Sequence, residues 1–384
     1  MKKIFLITIG MFALGVDAYV MAGILPNIAD AFHVSIGKAG QTVSIFTLCY
    51  AIAAPLFAAM MSKTNTKHTL LIALSIFVLA NIVSAITSNF IILLISRGVA
   101  GIGAGLYSPL ASAAAVTFVH KNKKGRALGI ILLGMSAGTV IGVPLGIYIS
   151  NMYGWRMTMW FIVLIGVIGI LAVLFRFPVI QSTQLPTLRE RLMMFQNRGI
   201  SLVMFITMIL SFCSLGLYTY LDLIITSYGF EKPIVFIWMW GIGGIGGSFI
   251  IGYIMDFYKK PKIILIYLIA IMFLSLILMG ISQKTTILLA VCLILWGATG
   301  WAGLATQQKT LVEMSPQHAT ISIALLSSIN YFAGSIGTLA NGVFLEKGMN
   351  PLTLPYITGG ILVIAIGLQF LLIVKSSKGK QMIK

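Results

Sequence analysis

Apolar runs of about twenty residues or more recur along this chain, broken only by short polar punctuation, and twelve of them can be counted. A bilayer hydrocarbon core is about 30 Å thick and takes about 20 apolar residues per helical crossing. A helix satisfies its own backbone donors and acceptors, which lipid cannot do, so each run predicts a membrane-spanning helix. The expected fold class is an all-α membrane protein of twelve transmembrane helices. Of 384 residues, 59% are hydrophobic and 9% charged, against about 25% charged in a soluble domain. Too few polar side chains remain to cover a water-facing globule. This excludes a cytosolic enzyme, a secreted module and a disordered regulator.

The runs place helices at about 4–28, 39–61, 69–87, 90–118, 127–150 and 157–177, then 201–226, 234–255, 262–280, 286–308, 320–344 and 354–374. The first run follows Lys2 and Lys3 as a signal peptide would. It runs past twenty residues, contains Asp17 and lacks a convincing A-x-A cleavage site, so a retained helix is expected. The longest polar stretch, 178–199, carries Pro186, Arg189, Glu190, Arg191 and Arg198. It divides the chain into a six-helix bundle at 1–177, a linker at 178–199 and a second six-helix bundle at 200–384.

The formal charge of +18 is spread over loops rather than gathered on one face, which favours membrane topology over nucleic acid. Twenty of the 26 Lys and Arg fall on one side, five (Lys38, Arg156, Lys232, Lys284 and Lys347) on the other, and Arg97 inside a helix. Both termini and the linker are therefore expected on the cytoplasmic side. Cys49, Cys213 and Cys292 lie apart in apolar runs, and the four histidines (His33, His68, His120, His318) fall in or beside loops, so no metal site is expected. No P-loop and no nucleophile–base–acid constellation occurs. The chain reads as a non-enzyme without cofactor, and ATP is not the expected energy source.

Asp17 and Arg97 are the ionisable residues deep in apolar runs. Asp17 lies about 20 Å from the cytoplasmic edge and Arg97 about 10 Å from the outer edge, at 1.5 Å per residue. In a core about 30 Å thick the two depths coincide. Charge at that depth needs a partner or a functional reason. Asp17 is read as a carboxylate that takes and releases a proton, with Arg97 beside it; the alternative is a static pair that locks packing. Glycine marks helix five at Gly134, Gly138, Gly142 and Gly146, with Pro144 set to bend the helix. Such a stripe suits a seal against the other bundle. Glycines in helices four (Gly101, Gly103, Gly105) and ten (Gly297, Gly300, Gly303), and in five and eleven (Gly334, Gly337, Gly342), hint at two repeated halves that rock about a midplane cavity. Candidate cavity residues are Tyr19, Met21, Phe46, Tyr50, Tyr107, Tyr218, Asp222, Trp296, Asn330 and Tyr331. Asp222 is expected near the outer interface, within reach of water. Gln307, Gln308, Lys309 and Glu313 read as a solvated helix end.

The six-plus-six layout, Leu94-Ile-Ser-Arg97-Gly-Val-Ala-Gly101 and the glycine–proline helix five resemble the major facilitator superfamily. Gly23-Ile-Leu-Pro26-Asn-Ile-Ala29, Gly142-Val-Pro144-Leu-Gly146 and Gly154-Trp155-Arg156 look like its bacterial drug:H+ antiporter branch, with the sugar-efflux, chloramphenicol-resistance and purine-efflux exporters. The resemblance implies proton coupling through Arg97 and an antiporter signature at Gly138, Gly142, Pro144 and Gly146. It also implies a latch in Gly252-Tyr-Ile-Met-Asp256-Phe-Tyr-Lys259-Lys260, while the matching first-half loop is reduced to residues 62–68. Relatives often carry their helix-one acid at what corresponds to Ala18. The expectation is a monomeric, proton-coupled exporter of small hydrophobic or cationic compounds, acting in the lipid bilayer and binding no nucleic acid. A dedicated exporter of a nucleobase, sugar or siderophore is the alternative, and a non-transporting receptor the remote one.

Overall fold

The structure is a computed structural model that describes residues 2–61, 65–120, 124–179, 187–282 and 285–381. Among these residues, twelve helices are long and apolar enough to cross a membrane. In the first half they are α1 (Lys2–Phe32), α2 (Gln41–Met61), α3 (Thr66–Ile86) and α4 (Phe90–Thr117), then α5, assembled from Lys124–Ala137, Gly138–Gly142 and Val143–Tyr153, and α6 (Trp155–Arg176). The second half has α7 (Arg198–Tyr218), α8 (Pro233–Tyr258), α9 (Pro261–Ile281), α10 (Thr286–Met314), α11 (Ala319–Glu346) and α12 (Leu354–Gln381). The chain forms two compact units, Met1–Leu188 and Arg189–Lys384.

Local sequence sets the helix ends. Asn65, Asn89 and Asn197 cap α3, α4 and α7, each side chain accepting from backbone N–H groups of the first turn. Pro233 and Pro261 open α8 and α9, where the missing N–H is not needed. In α5 the five residues Gly138–Gly142 are π-helical and end two positions before Pro144. Proline cannot donate to the carbonyl four residues back, and the ladder widens ahead of it.

Packing within each unit follows one template. In the first, α4 packs on α2 and α3, α1 on α5 and α6, and α3 on α6; in the second, α10 packs on α8 and α9, α7 on α11 and α12, and α9 on α12. Glycines let the backbones meet at matched places. A Cβ at Gly101 would run into the Phe46 carbonyl and one at Gly297 into that of Trp240. Likewise Gly138 abuts the Phe12 carbonyl and Gly337 that of Phe212. The repeat hinted at by the glycines is thus visible in the helix pairing of both units.

Three expectations change. The helix expected at 201–226 stops at Tyr218, and Leu221–Ser227 forms a separate short helix. At the break the Thr219 hydroxyl bonds Thr338 Oγ1 at 2.9 Å, and the Tyr220 hydroxyl donates to the Thr338 carbonyl at 3.0 Å. These bonds tie the break to α11. The glycine stripe of α5 faces α1 of its own unit, where Gly134, Gly138, Gly142 and Gly146 meet Thr8, Phe12, Val16 and Val20 in turn. The close approach that the stripe allows is therefore to α1, inside the first unit. Arg191, expected in a solvated linker, is 2% exposed. It lies on a short helix, Leu188–Met193, and its Nη1 donates to Ala324 O at 3.2 Å and Ser328 Oγ at 2.7 Å. Residues 62–64 of the reduced loop motif, 180–186 of the linker, and Lys284 lie outside the described residues.

Candidate functional site

Three helices of the first unit converge on one buried polar cluster. Arg97 Nη1 of α4 donates to Asp17 Oδ1 of α1 at 2.7 Å, and both side chains are 0% exposed. The depths read from the sequence meet as expected. The third member, Asn81 of α3, is fully buried. Its Nδ2 donates to Asp17 Oδ2 at 3.3 Å and to Phe77 O at 3.0 Å, and its Oδ1 accepts from Arg97 Nη1 at 3.1 Å. Asn81 is not among the residues expected from the sequence, although it is the one amide in the third apolar run. One turn further, Ser84 and Ser96 bond across the same helix pair at 2.8 Å.

The cluster is not fully satisfied. Arg97 Nε and Nη2 are buried without a hydrogen-bond partner, and the guanidinium lies 4.6 Å from the centre of the Phe46 ring. A ring face offers a cation some stabilisation but no acceptor. A buried ion pair gains its Coulomb energy against a large desolvation cost, and losing one partner strands the other. Such a pair is sensitive to the protonation of its acid.

The other candidates of this unit divide. Phe46 stacks on Arg97, and Tyr50 lies 6.3 Å from Phe46, ring to ring. Met21 is buried in the core, and Tyr19 is half-buried on the same helix. Tyr107 is fully buried, with its hydroxyl donating to Ile7 O at 2.8 Å and its ring over Gly10. It is a cross-link between α1 and α4, not a residue open to a cavity.

The Major Facilitator Superfamily profile matches residues 7–338. The chain belongs to the major facilitator superfamily. It is 28% identical over 390 residues to the uncharacterized MFS-type transporter YbcL of Bacillus subtilis (strain 168), covering 100% of this chain and 98% of that one. It is 23% identical to the inner membrane transport protein YdhP of Escherichia coli (strain K12), covering 97% and 95%. Among solved structures it is similar to the nucleoside transporter NupG, with TM-score 0.78, 13% identity and coverage of 96% and 99%. The human organic anion transporter MFSD10 (TETRAN) gives TM-score 0.70 at 15% identity, covering 95% and 98%. At those identities the structural likeness establishes the fold. The protein is a multi-pass membrane transporter of this superfamily.

The second unit of this superfamily transporter carries different chemistry at its centre. Trp240 stacks on Tyr218 at 4.2 Å and lies 6.0 Å from both Trp296 and Trp301, centroid to centroid. Trp296 Nε1 donates to Ser214 Oγ at 2.9 Å, and Ser211 Oγ donates to Asn330 Oδ1 at 2.8 Å. Tyr331 is buried beside Asn330. Asp222, expected to reach water at the outer interface, is only 6% exposed in the short helix between the seventh and eighth spans. Burial there pushes its carboxyl up from the usual 3.8 to about 7. Outside the spans, burial also lowers the Arg191 guanidinium to about 10.

The residues of the expected latch are paired differently. Asp256 pairs at 3.4 Å with Lys309 of α10, which also donates to Met255 O at 3.3 Å. Lys259 adopts a left-handed conformation at the end of α8, and both Lys259 and Lys260 are exposed. Lys309, read from the sequence as part of a solvated end, supplies the cation that pairs with Asp256. Among the described residues no group of three His, Cys, Asp or Glu is placed to hold a metal.

Proposed function

We propose that this transporter is a proton-coupled exporter that exchanges inward protons for small hydrophobic or cationic compounds by alternating access. The buried Asp17–Arg97 pair supports the reading best, because both groups are fully desolvated and hydrogen-bonded to each other. A charged Asp17 neutralises Arg97 and holds α1 to α4. A protonated Asp17 loses the Coulomb attraction and loosens that contact, so proton binding and helix position become linked. Pro144 and its π-helical segment give α5, which packs along α1, a place to adjust. The protein acts as a monomer in the bacterial cell membrane, with both termini cytoplasmic. The proton gradient replaces any cofactor.

A dedicated metabolite exporter is the second reading, favoured by the uncharged Ser211–Asn330 pair and the aromatic cluster of the second unit. The similar fold of NupG, a nucleoside transporter, points the same way. Inverted membrane vesicles with an acid interior, followed by a pH-sensitive dye, separate the readings. Proton release on adding several unrelated lipophilic cations, absent in Asp17→Asn, supports the broad exporter. Release provoked only by a nucleobase or sugar supports the dedicated one. Coupling retained in Asp17→Asn removes Asp17 from the mechanism.

A further inference from the structure

Asn81 is bonded to both members of the ion pair, by different atoms. Its amide nitrogen serves the carboxylate and its carbonyl oxygen serves the guanidinium. The two arms favour opposite protonation states of Asp17. Donation from Nδ2 favours the charged acid, but that bond is long at 3.3 Å, and the same nitrogen is committed to Phe77 O at 3.0 Å. Acceptance by Oδ1 matters most when the acid is neutral. Once Asp17 takes a proton, Arg97 loses its anionic acceptor while remaining fully buried with Nε and Nη2 already unpaired. The Asn81 carbonyl then shares Arg97 Nη1 only with the neutral, weaker carbonyl oxygen of Asp17.

We propose that Asn81 is a positioning residue of the coupling site: its carbonyl retains Arg97 when Asp17 is protonated, and so makes the protonated state accessible. The proton comes from water and returns to it; no bond of Asn81 is made or broken beyond hydrogen bonds. The inference rests on Asp17 being the proton site. The titratable groups nearest the pair are Tyr19 of α1 itself, Cys49 and Tyr50 of α2, and Tyr107 of α4, whose hydroxyl is committed to Ile7 O; Lys2, Lys3 and Asp30 of α1 and Lys67 and His68 of α3 stand toward the helix ends, about 20 Å along the axis at 1.5 Å per residue. Phenols and thiols carry no charge at neutral pH and give Arg97 no anion in place of Asp17. Lys38 stands on a separate short helix at Ile36–Ala39. Residues 130–147 of α5 and 157–175 of α6 contain no titratable side chain.

The test reads protonation directly and needs no substrate. Purified protein in lipid is titrated by infrared difference spectroscopy, and the carbonyl band of a protonated carboxyl that disappears in Asp17→Asn is assigned to Asp17. Two amide-free variants, Asn81→Leu (close to isosteric) and Asn81→Ala, guard against misfolding of either, with folding checked by thermal melting. Both should titrate about one pH unit lower than wild type, a tenfold change in proton affinity. Asn81→Gln, which keeps the amide on a longer arm, should recover part of the shift. An unchanged or higher midpoint in the amide-free variants overturns the role of Asn81 and leaves Asp17 as the proton site. Absence of any Asp17-dependent band in wild type between pH 4 and 10 overturns both.

Discussion

Substituting single glycines in α5 by alanine tests whether the helix is held by backbone contact. At Gly129 no described atom beyond the surrounding turns of its own helix lies within 4 Å of where a methyl group would stand. Alanine there gains only the helix preference over glycine, about 0.5–1 kcal/mol. At Gly138 the methyl would meet the Phe12 carbonyl, the Val16 nitrogen and the Gly15 Cα, all backbone of α1. No rotamer change can make room, so α1 and α5 must separate, at a cost of about 1–3 kcal/mol for overpacking. Setting the helix preference against this leaves Gly138→Ala less stable than wild type by up to about 2.5 kcal/mol. The two variants should therefore move in opposite directions. Thermal unfolding in detergent, followed by tryptophan fluorescence, provides the comparison. If Gly138→Ala melts at or above Gly129→Ala, the close approach of α1 and α5 is not what the glycine stripe serves.

The buried pair makes an asymmetric prediction. An orphaned carboxylate can become neutral by taking a proton, whereas an orphaned guanidinium cannot. Breaking a buried pair costs about 3–5 kcal/mol, so Arg97→Met should recover stability as pH falls, while Asp17→Leu should stay destabilised from pH 8 to 5. Equal pH dependence in melting experiments would count against the pairing. For Asp222 the sign follows from its raised value. With the carboxyl at about 7 folded and 3.8 unfolded, its stabilising contribution is full below about 4 and is lost as pH rises through 7. Asp222→Asn should flatten that part of the stability–pH curve, and an unaltered curve would refute the assignment. Finally, Arg191→Ala should cost about 1.5–3 kcal/mol through its lost bonds to α11. Arg189→Ala, exposed two residues earlier, should change the melting by less than about 0.5 kcal/mol.

Much of this molecule can be read from the chain alone, and the reasons for the gaps differ by residue. Twelve apolar runs have one economical solution in lipid, so helix number and approximate position follow from them. Asp17 and Arg97 stand out because charge is rare inside such runs, and their depths along the two helices agree. Asn81 carries no charge and costs little to insert, so nothing in its run marks it as a partner of either. The α5 stripe announces a face that can be approached closely, but spacing does not say which helix approaches it. Arg191 sits in a polar segment, where solvation is the default; only the carbonyl of Ala324 and the hydroxyl of Ser328 reveal its burial. The break after Tyr218 depends on Thr338, more than a hundred residues away, and no local signal encodes it.

The matched helix pairing of the two units is written largely in main-chain contacts, glycine against carbonyl, at Gly101 and Gly297 and at Gly138 and Gly337. A scaffold secured that way places few demands on the remaining side chains. The two units accordingly share one architecture around different interiors, one holding an ion pair with its amide and the other indoles and hydroxyls. The same freedom makes the protein a host for grafting: interior residues of one unit can be exchanged while the glycines are left in place.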